Sequence, residues 1–174
     1  MLRKTYAQQI MGLGLLGENS MKLIAHRGLV TGPDVNLENR PEQIQLALKQ
    51  GYNCEIDVWF DIHNGWSLGH DSPDYAINFN FLEQPGLWLH AKNLEALHVL
   101  GADSKLNFFW HQGDDFTLTS QGYIWTYPRK NLTHNSVMLM PEWHDPEFKT
   151  LSTASCYAIC SDYVEKIKPI FQNR

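Results

Sequence analysis

The chain has 174 residues, 43% of them hydrophobic and 19% charged, and a formal net charge of -5. That is enough chain for a single domain with its own core, and the composition is that of a globular protein, not a disordered one. A transmembrane helix needs about 18 consecutive apolar residues, and no such run occurs; the acidic balance gives no basic footprint for nucleic acid. The three cysteines, Cys54, Cys156 and Cys160, form no C-x-x-C pair. They argue against a disulfide framework or zinc ribbon, and for a reducing, cytoplasmic setting over a secreted one.

Residues 1–20 read as an N-terminal extension outside the core, and residues 21–174 as one domain. The first strand is expected at Leu23–His26, followed by a loop rich in Gly, Pro, Asp and Asn over 28–40. Pro41 opens a helix through Gln50, with Ile44, Ala47 and Leu48 on one face and Gly51 as its stop. A second strand runs over Cys54–Phe60, and a turn at Asn64-Gly65 leads into a short strand at Trp66–Leu68. The third main strand is Leu87–Ala91. Asn93 caps a helix carrying Leu94, Leu97 and Leu100, closed by Gly101. Further strands are expected at Leu106–Trp110, Tyr123–Tyr127, Val137–Met140 and Tyr157–Cys160. Asp162 is the expected cap of a last helix with Glu165 three residues on.

Strands alternating with helices predict an α/β fold with a mostly parallel sheet. The number of strand candidates favours a closed barrel, yet a full (β/α) barrel takes about 200–250 residues. No amphipathic helix is legible between His111 and Pro141. The expectation is therefore a reduced TIM-like (β/α) barrel with some outer helices missing on that side. Bare apolar sheet there predicts a homodimer.

Three segments carry chemistry: His26-Arg27-Gly28 at the end of the first strand, Glu55-Ile56-Asp57 on the second, and Gly69-His70-Asp71 after the short strand. Alternation puts Glu55 and Asp57 on one face. Two carboxylates aimed at one point repel unless a positive group lies between them, and a hard divalent cation suits oxygen ligands. An arginine and two histidines add an anion clamp and an acid/base pair. Metal, guanidinium and imidazoles together describe a phosphate-ester site.

These segments resemble the glycerophosphodiester phosphodiesterases, within the wider superfamily of phosphatidylinositol-specific phospholipase C-like enzymes. The resemblance rests on Ile24-Ala25-His26-Arg27-Gly28, Leu37-Glu38-Asn39-Arg40, Ala47-Leu48-Lys49-Gln50-Gly51, Glu55-Ile56-Asp57 and Leu68-Gly69-His70-Asp71, with a weaker echo at Ala158-Ile159-Cys160-Ser161-Asp162-Tyr163. It implies His26 and His70 as the acid/base pair, Glu55 and Asp57 as metal ligands, and Arg27 as a phosphate contact. It also implies a small-molecule phosphodiester substrate such as a glycerophosphodiester, in a setting of lipid metabolism; no lipid-inserting amphipathic basic helix is legible, so no stable membrane insertion is expected. Glu38 and Asn39 match the family's turn and would orient the metal shell.

The chain departs from the family at Leu89-His90-Ala91-Lys92. Lys92 matches a family lysine and suits phosphate, but His90 stands where the family carries a third metal carboxylate. As a ligand, His90 shifts the expected ion from Mg2+ or Ca2+ toward Mn2+ or Zn2+. Otherwise His90 is a hydrogen-bonded residue of the mouth, or the mark of a degenerate barrel that binds a phosphate ligand without turning it over. His111, Glu142 and Trp143 are expected at the rim, and Phe108-Phe109-Trp110 in the core.

Overall fold

The computed structural model describes residues 21–172, so the expectation for residues 1–20 lies outside the described residues. In chain order the elements are β1 (Lys22–His26), α1 (Pro41–Lys49), β2 (Asn53–Asp61), β3 (Gly65–Leu68), β4 (Tyr75–Ile77), α2 (Phe79–Leu82), β5 (Leu87–Ala91) and α3 (Leu94–Leu100). Then follow β6 (Phe108–Phe109), β7 (Phe116–Leu118), β8 (Ile124–Thr126), β9 (Ser136–Leu139), β10 (Ala158–Ser161) and α4 (Val164–Gln172), with short 3-10 turns at Pro141–Trp143 and Leu151–Thr153.

The run β6-β5-β2-β1-β10-β9-β8 is parallel throughout. Strand β7 joins β8 antiparallel, and β3 and β4 fold back antiparallel on the far half of β2. The sheet is curled. The turn after β7 reaches β6, where Ser120 N donates to the Phe108 carbonyl at 2.9 Å and Ser120 Oγ accepts from Phe108 N at 2.9 Å. Curling separates two apolar layers. Inside it, Ile24, Trp88, Phe109, Trp125, Val137 and Cys160 fill the concave face. Outside it, Ala25, Cys54, Ile56, Val58, Leu89 and Ile159 pack with Ile44 and Ala47 of α1, Ala96 and Leu100 of α3, and Val164 and Ile167 of α4.

Local chemistry sets the boundaries. Pro41 starts α1 at the one place where a missing N–H costs nothing, and Gly51 ends it at φ 86°. Asn93 joins two elements. Its Oδ1 accepts from Ala96 N at 3.1 Å, capping α3, and from Phe60 N at 3.2 Å, while its Nδ2 donates to the Phe60 carbonyl at 2.7 Å.

Among the described residues no helix lies between His111 and Pro141, and Phe116 and Leu118 there are 50% and 70% exposed. No helix of the described residues is long and apolar enough to cross a membrane. The capping box expected at Asp162 is not formed. The Asp162 carboxylate turns inward to His26, at 2.8 Å from its Nδ1. At the start of α4 the N–H donors find other acceptors, Tyr163 N the Ser161 Oγ and Glu165 N the Val30 carbonyl. Strands β4 and β7 and helix α2 add to the elements expected from the sequence.

Replacing Asn93 removes a cap and a clamp between α3 and β2 together. Asn93→Ala is expected to lower unfolding free energy by about 2 kcal/mol, read from the urea midpoint at unchanged slope. A change below about 0.5 kcal/mol would mean that neither bond matters.

Candidate active site

Side-by-side residues of parallel strands point to the same face. The register pairs His26 with Glu55, Glu55 with Trp88, and Asp57 with His90. This brings the ends of β1 and β5 beside Glu55 and Asp57 of β2, at the carboxyl edge of the parallel sheet, where parallel α/β folds place their chemistry. A pocket of about 340 Å³ opens there, lined by His26, Arg27, Glu55, Asp57, His70, His90 and Lys92. All seven expected site residues therefore meet in one cavity. His111, Gln112 and Trp125 complete its wall.

The loop after β1 is built to aim at this cavity. Arg27 and Gly28 take left-handed backbone angles, φ 51° and 79°. A Cβ on Gly28 would stand 3.0–3.2 Å from Ile44, including its backbone, so only glycine lets the loop lie against α1. The turn presents Arg27 N to Glu55 Oε2 at 3.2 Å. Asn39, fully buried at φ 58°, closes a two-bond clamp on Asp57: its Nδ2 donates to Oδ2 at 2.8 Å and its Oδ1 accepts from Asp57 N at 2.9 Å. Gly69 before His70 is equally constrained, since a Cβ there would collide with the Ser72 carbonyl.

Glu55 and Asp57 are 2% and 1% exposed, and buried carboxylates require compensation. Asp57 has it on every side. His90 Nδ1 lies 3.0 Å and Lys92 Nζ 3.3 Å from Oδ1, and Arg27 Nε lies 3.3 Å from Oδ2. Burial alone would raise the Asp57 carboxyl; the hydrogen bond and charge of His90, with Lys92 and Arg27, hold it well below the usual carboxylate range. Glu55 faces His90 Nδ1 at 3.7 Å and His26 Nε2 at 3.9 Å. Burial pulls His90 down, but its bonds to Asp57 and Glu55 win and push it up to about 9. Arg27 Nη1 is bound to Glu38 Oε2 at 2.7 Å, so Glu38 orients the guanidinium.

His26 carries a second carboxylate behind it. Nδ1 faces Asp162 Oδ1 at 2.8 Å, which leaves Nε2 toward the cavity. Burial lowers the imidazole, yet the Asp162 bond and the charge of Glu55 raise it above its ordinary value. His70 is more open, with Nδ1 2.7 Å from Asp71 Oδ1. Asp162 is the residue of this site that the sequence places elsewhere, as a helix cap. Its signal was present at the carboxyl end of β10, but the Asp-x-x-Glu spacing read as a cap.

Glu55, Asp57 and His90 each offer one ligand atom, all within 4.8 Å of one another. His90 tests the fit to a cation. Its Nε2 lies 3.0 Å from the His111 carbonyl, an acceptor that keeps the proton on Nε2 and leaves Nδ1 facing both carboxylates. This is how a histidine metal ligand is oriented by its outer partner. One imidazole and two carboxylates form a borderline donor set that suits Mn2+ or Zn2+ as well as Mg2+.

Comparison of the chain with family models, with curated proteins and with solved structures found no match in any of the three.

A histidine whose pKa is raised by folding stabilises the fold most below its ordinary value near 6.5, and that contribution is lost as pH climbs through about 9. With a chelator present, wild-type stability is expected to fall by about 2–3 kcal/mol between roughly pH 6 and 9.5. His90→Gln should flatten most of that slope in denaturant titrations across pH. Parallel slopes would place the titration elsewhere.

Proposed function

We propose that this protein is a metal-dependent phosphoric diester hydrolase, acting on a glycerophosphodiester or a related small polar headgroup ester. The observation that carries the reading is the convergence of two histidines, two cationic side chains and a buried carboxylate pair on one cavity at the carboxyl edge of a parallel sheet. We read the curled sheet as a reduced TIM-like barrel whose outer helices are missing beside β7 and β8.

Each residue has a part in that reaction. Arg27 and Lys92 attract the diester's non-bridging oxygens and compensate the charge that builds on them. His26, backed by Asp162 with its imidazolium form favoured, protonates the leaving alkoxide from Nε2. His70 takes the proton of the attacking hydroxyl, either water or a neighbouring hydroxyl of the substrate; the latter gives a cyclic phosphate that water then opens. Glu55, Asp57 and His90 would hold a divalent cation, which supplies Lewis-acid compensation of the phosphoryl charge when bound. Glu38 and Asn39 keep Arg27 and Asp57 in place.

Turnover of a panel of glycerophosphodiesters with Mg2+, Ca2+, Mn2+ and Zn2+ tests the reading. His26→Ala and His70→Ala should each lower kcat by about 10²–10⁴-fold, and the double variant by less than the product. His90→Glu should shift preference toward Mg2+ or Ca2+. If no diester is turned over with any ion while inorganic phosphate still binds in an Arg27-dependent way, the chain is a phosphate-ligand binding protein and the hydrolase reading fails.

A further inference from the structure

We propose that the rings of His111, Tyr127 and Trp143 form a stacking shelf leading out of the candidate active site, and that the shelf takes a flat heteroaromatic ring, such as a nucleobase, carried on one arm of the phosphodiester. The inference rests on the reading of that cavity as a phosphodiester site and narrows the class of ester it favours.

The three rings follow one another away from the cavity. His111 is part of the cavity wall, with Gln112 and Trp125. Its ring centre lies 6.4 Å from that of Tyr127, which lies 6.5 Å from that of Trp143, with the last two rings nearly perpendicular at 72°. Each ring is held from a different strand end. His111 comes just after β6, and its Nδ1 lies 3.3 Å from Thr117 Oγ1 of β7. Tyr127 follows β8, its N–H donating to the Asp115 carbonyl at 2.9 Å. Trp143 sits in the 3-10 turn after β9, its N–H donating to the Met140 carbonyl at 3.1 Å.

The outer two rings stand in water. Tyr127 is 42% exposed and Trp143 61%, although aromatic side chains of this size are largely buried on average. A single exposed ring needs no explanation. Two that touch each other and connect to the wall of a polar cavity are a continuation of that cavity. A near-perpendicular pair forms a corner, in which a third flat ring stacks on one face and meets the other edge-on.

The neighbouring acids favour a neutral ring over an ammonium group. Glu142, next to Trp143, is committed to the end of β10, its Oε1 accepting from Ser161 Oγ at 2.8 Å and from Asp162 N at 3.0 Å. Asp115, which holds the Tyr127 N–H, pairs with Lys130 Nζ at 2.8 Å. Gln112 adds an exposed amide to the cavity wall, and such a group matches the donor and acceptor on the edge of a nucleobase.

Glycerophosphoglycerol, glycerophosphocholine and adenosine 5′-phosphoglycerol share the diester and differ in one arm. Calorimetric titration of each into the full chain carrying His26→Ala reads binding apart from turnover. The adenosine ester should bind at least about tenfold more tightly than either of the others. Trp143→Ala and Tyr127→Ala should each remove most of that advantage and leave glycerophosphoglycerol unchanged, while Trp143→Phe should retain it. Arg27→Ala should weaken all three esters. No advantage for the adenosine ester, an equal gain for glycerophosphocholine, an advantage that survives both alanine variants, or adenosine-ester affinity untouched by Arg27→Ala would overturn the shelf. Hydrolysis of ring-free diesters could stand after each of these failures, and a ring advantage without hydrolysis would leave the shelf on a phosphate-binding cavity.

Discussion

Two carboxylates, Glu55 and Asp57, lie buried two residues apart on one face of β2, and the rest of the site follows from the need to compensate them. Neither charge can be taken out of water alone. The fold answers by bringing three cationic groups from two other segments to within 4 Å: Arg27 from the loop after β1, His90 from β5, and Lys92 just beyond it. Asn39 adds two neutral hydrogen bonds from the entry to α1. The left-handed turn at Arg27-Gly28 and the buried Asn39 are needed to deliver these groups. The conformation of the loop, the register of β1, β2 and β5, and the electrostatics of the cavity are thus one constraint.

The same constraint gives the cavity two states of compensation. With its Nδ1 protonated, His90 is the positive group between the carboxylates. With its Nδ1 free, His90 becomes a third donor beside them, its tautomer already set by the His111 carbonyl. In the proposed metal site, proton and divalent cation would compete for one position. A third carboxylate at position 90 would leave the site strongly anionic and dependent on an ion; histidine lets it stay compensated in the ion's absence. Lys92 and Arg27 remain on the wall in both states, which keeps the cavity suited to an anionic ester.

Much of the candidate site was legible because it depends on alternation and strand ends. Glu55 and Asp57 share a face in any strand, and His26 and His90 lie at the ends of runs as apolar as Leu23–Ala25 and Leu87–Leu89. The Asn93 cap and the stop at Gly51 were legible because local hydrogen bonds decide them. What escaped depends on contacts far apart in sequence. Asp162 has the spacing of a helix cap, and only its place beside β1 turns it toward His26, 136 residues away. Glu142 reads as rim because its partners, Ser161 and Asp162, lie on the next strand and just past its end. Strands β4 and β7 are three residues each, too short for an alternating pattern to stand out. They form because the strands beside them, β3 and β8, offer unpaired backbone groups.

The most direct measurement on the compensated carboxylate pair is calorimetric titration of Mn2+ and Mg2+ into wild-type protein and into the Glu55→Gln, Asp57→Asn double variant. The account predicts a single saturable binding step in the wild type, accompanied by proton release near neutral pH as the ion displaces the proton from His90, and no such step in the double variant. Equal affinity in the two proteins would contradict it.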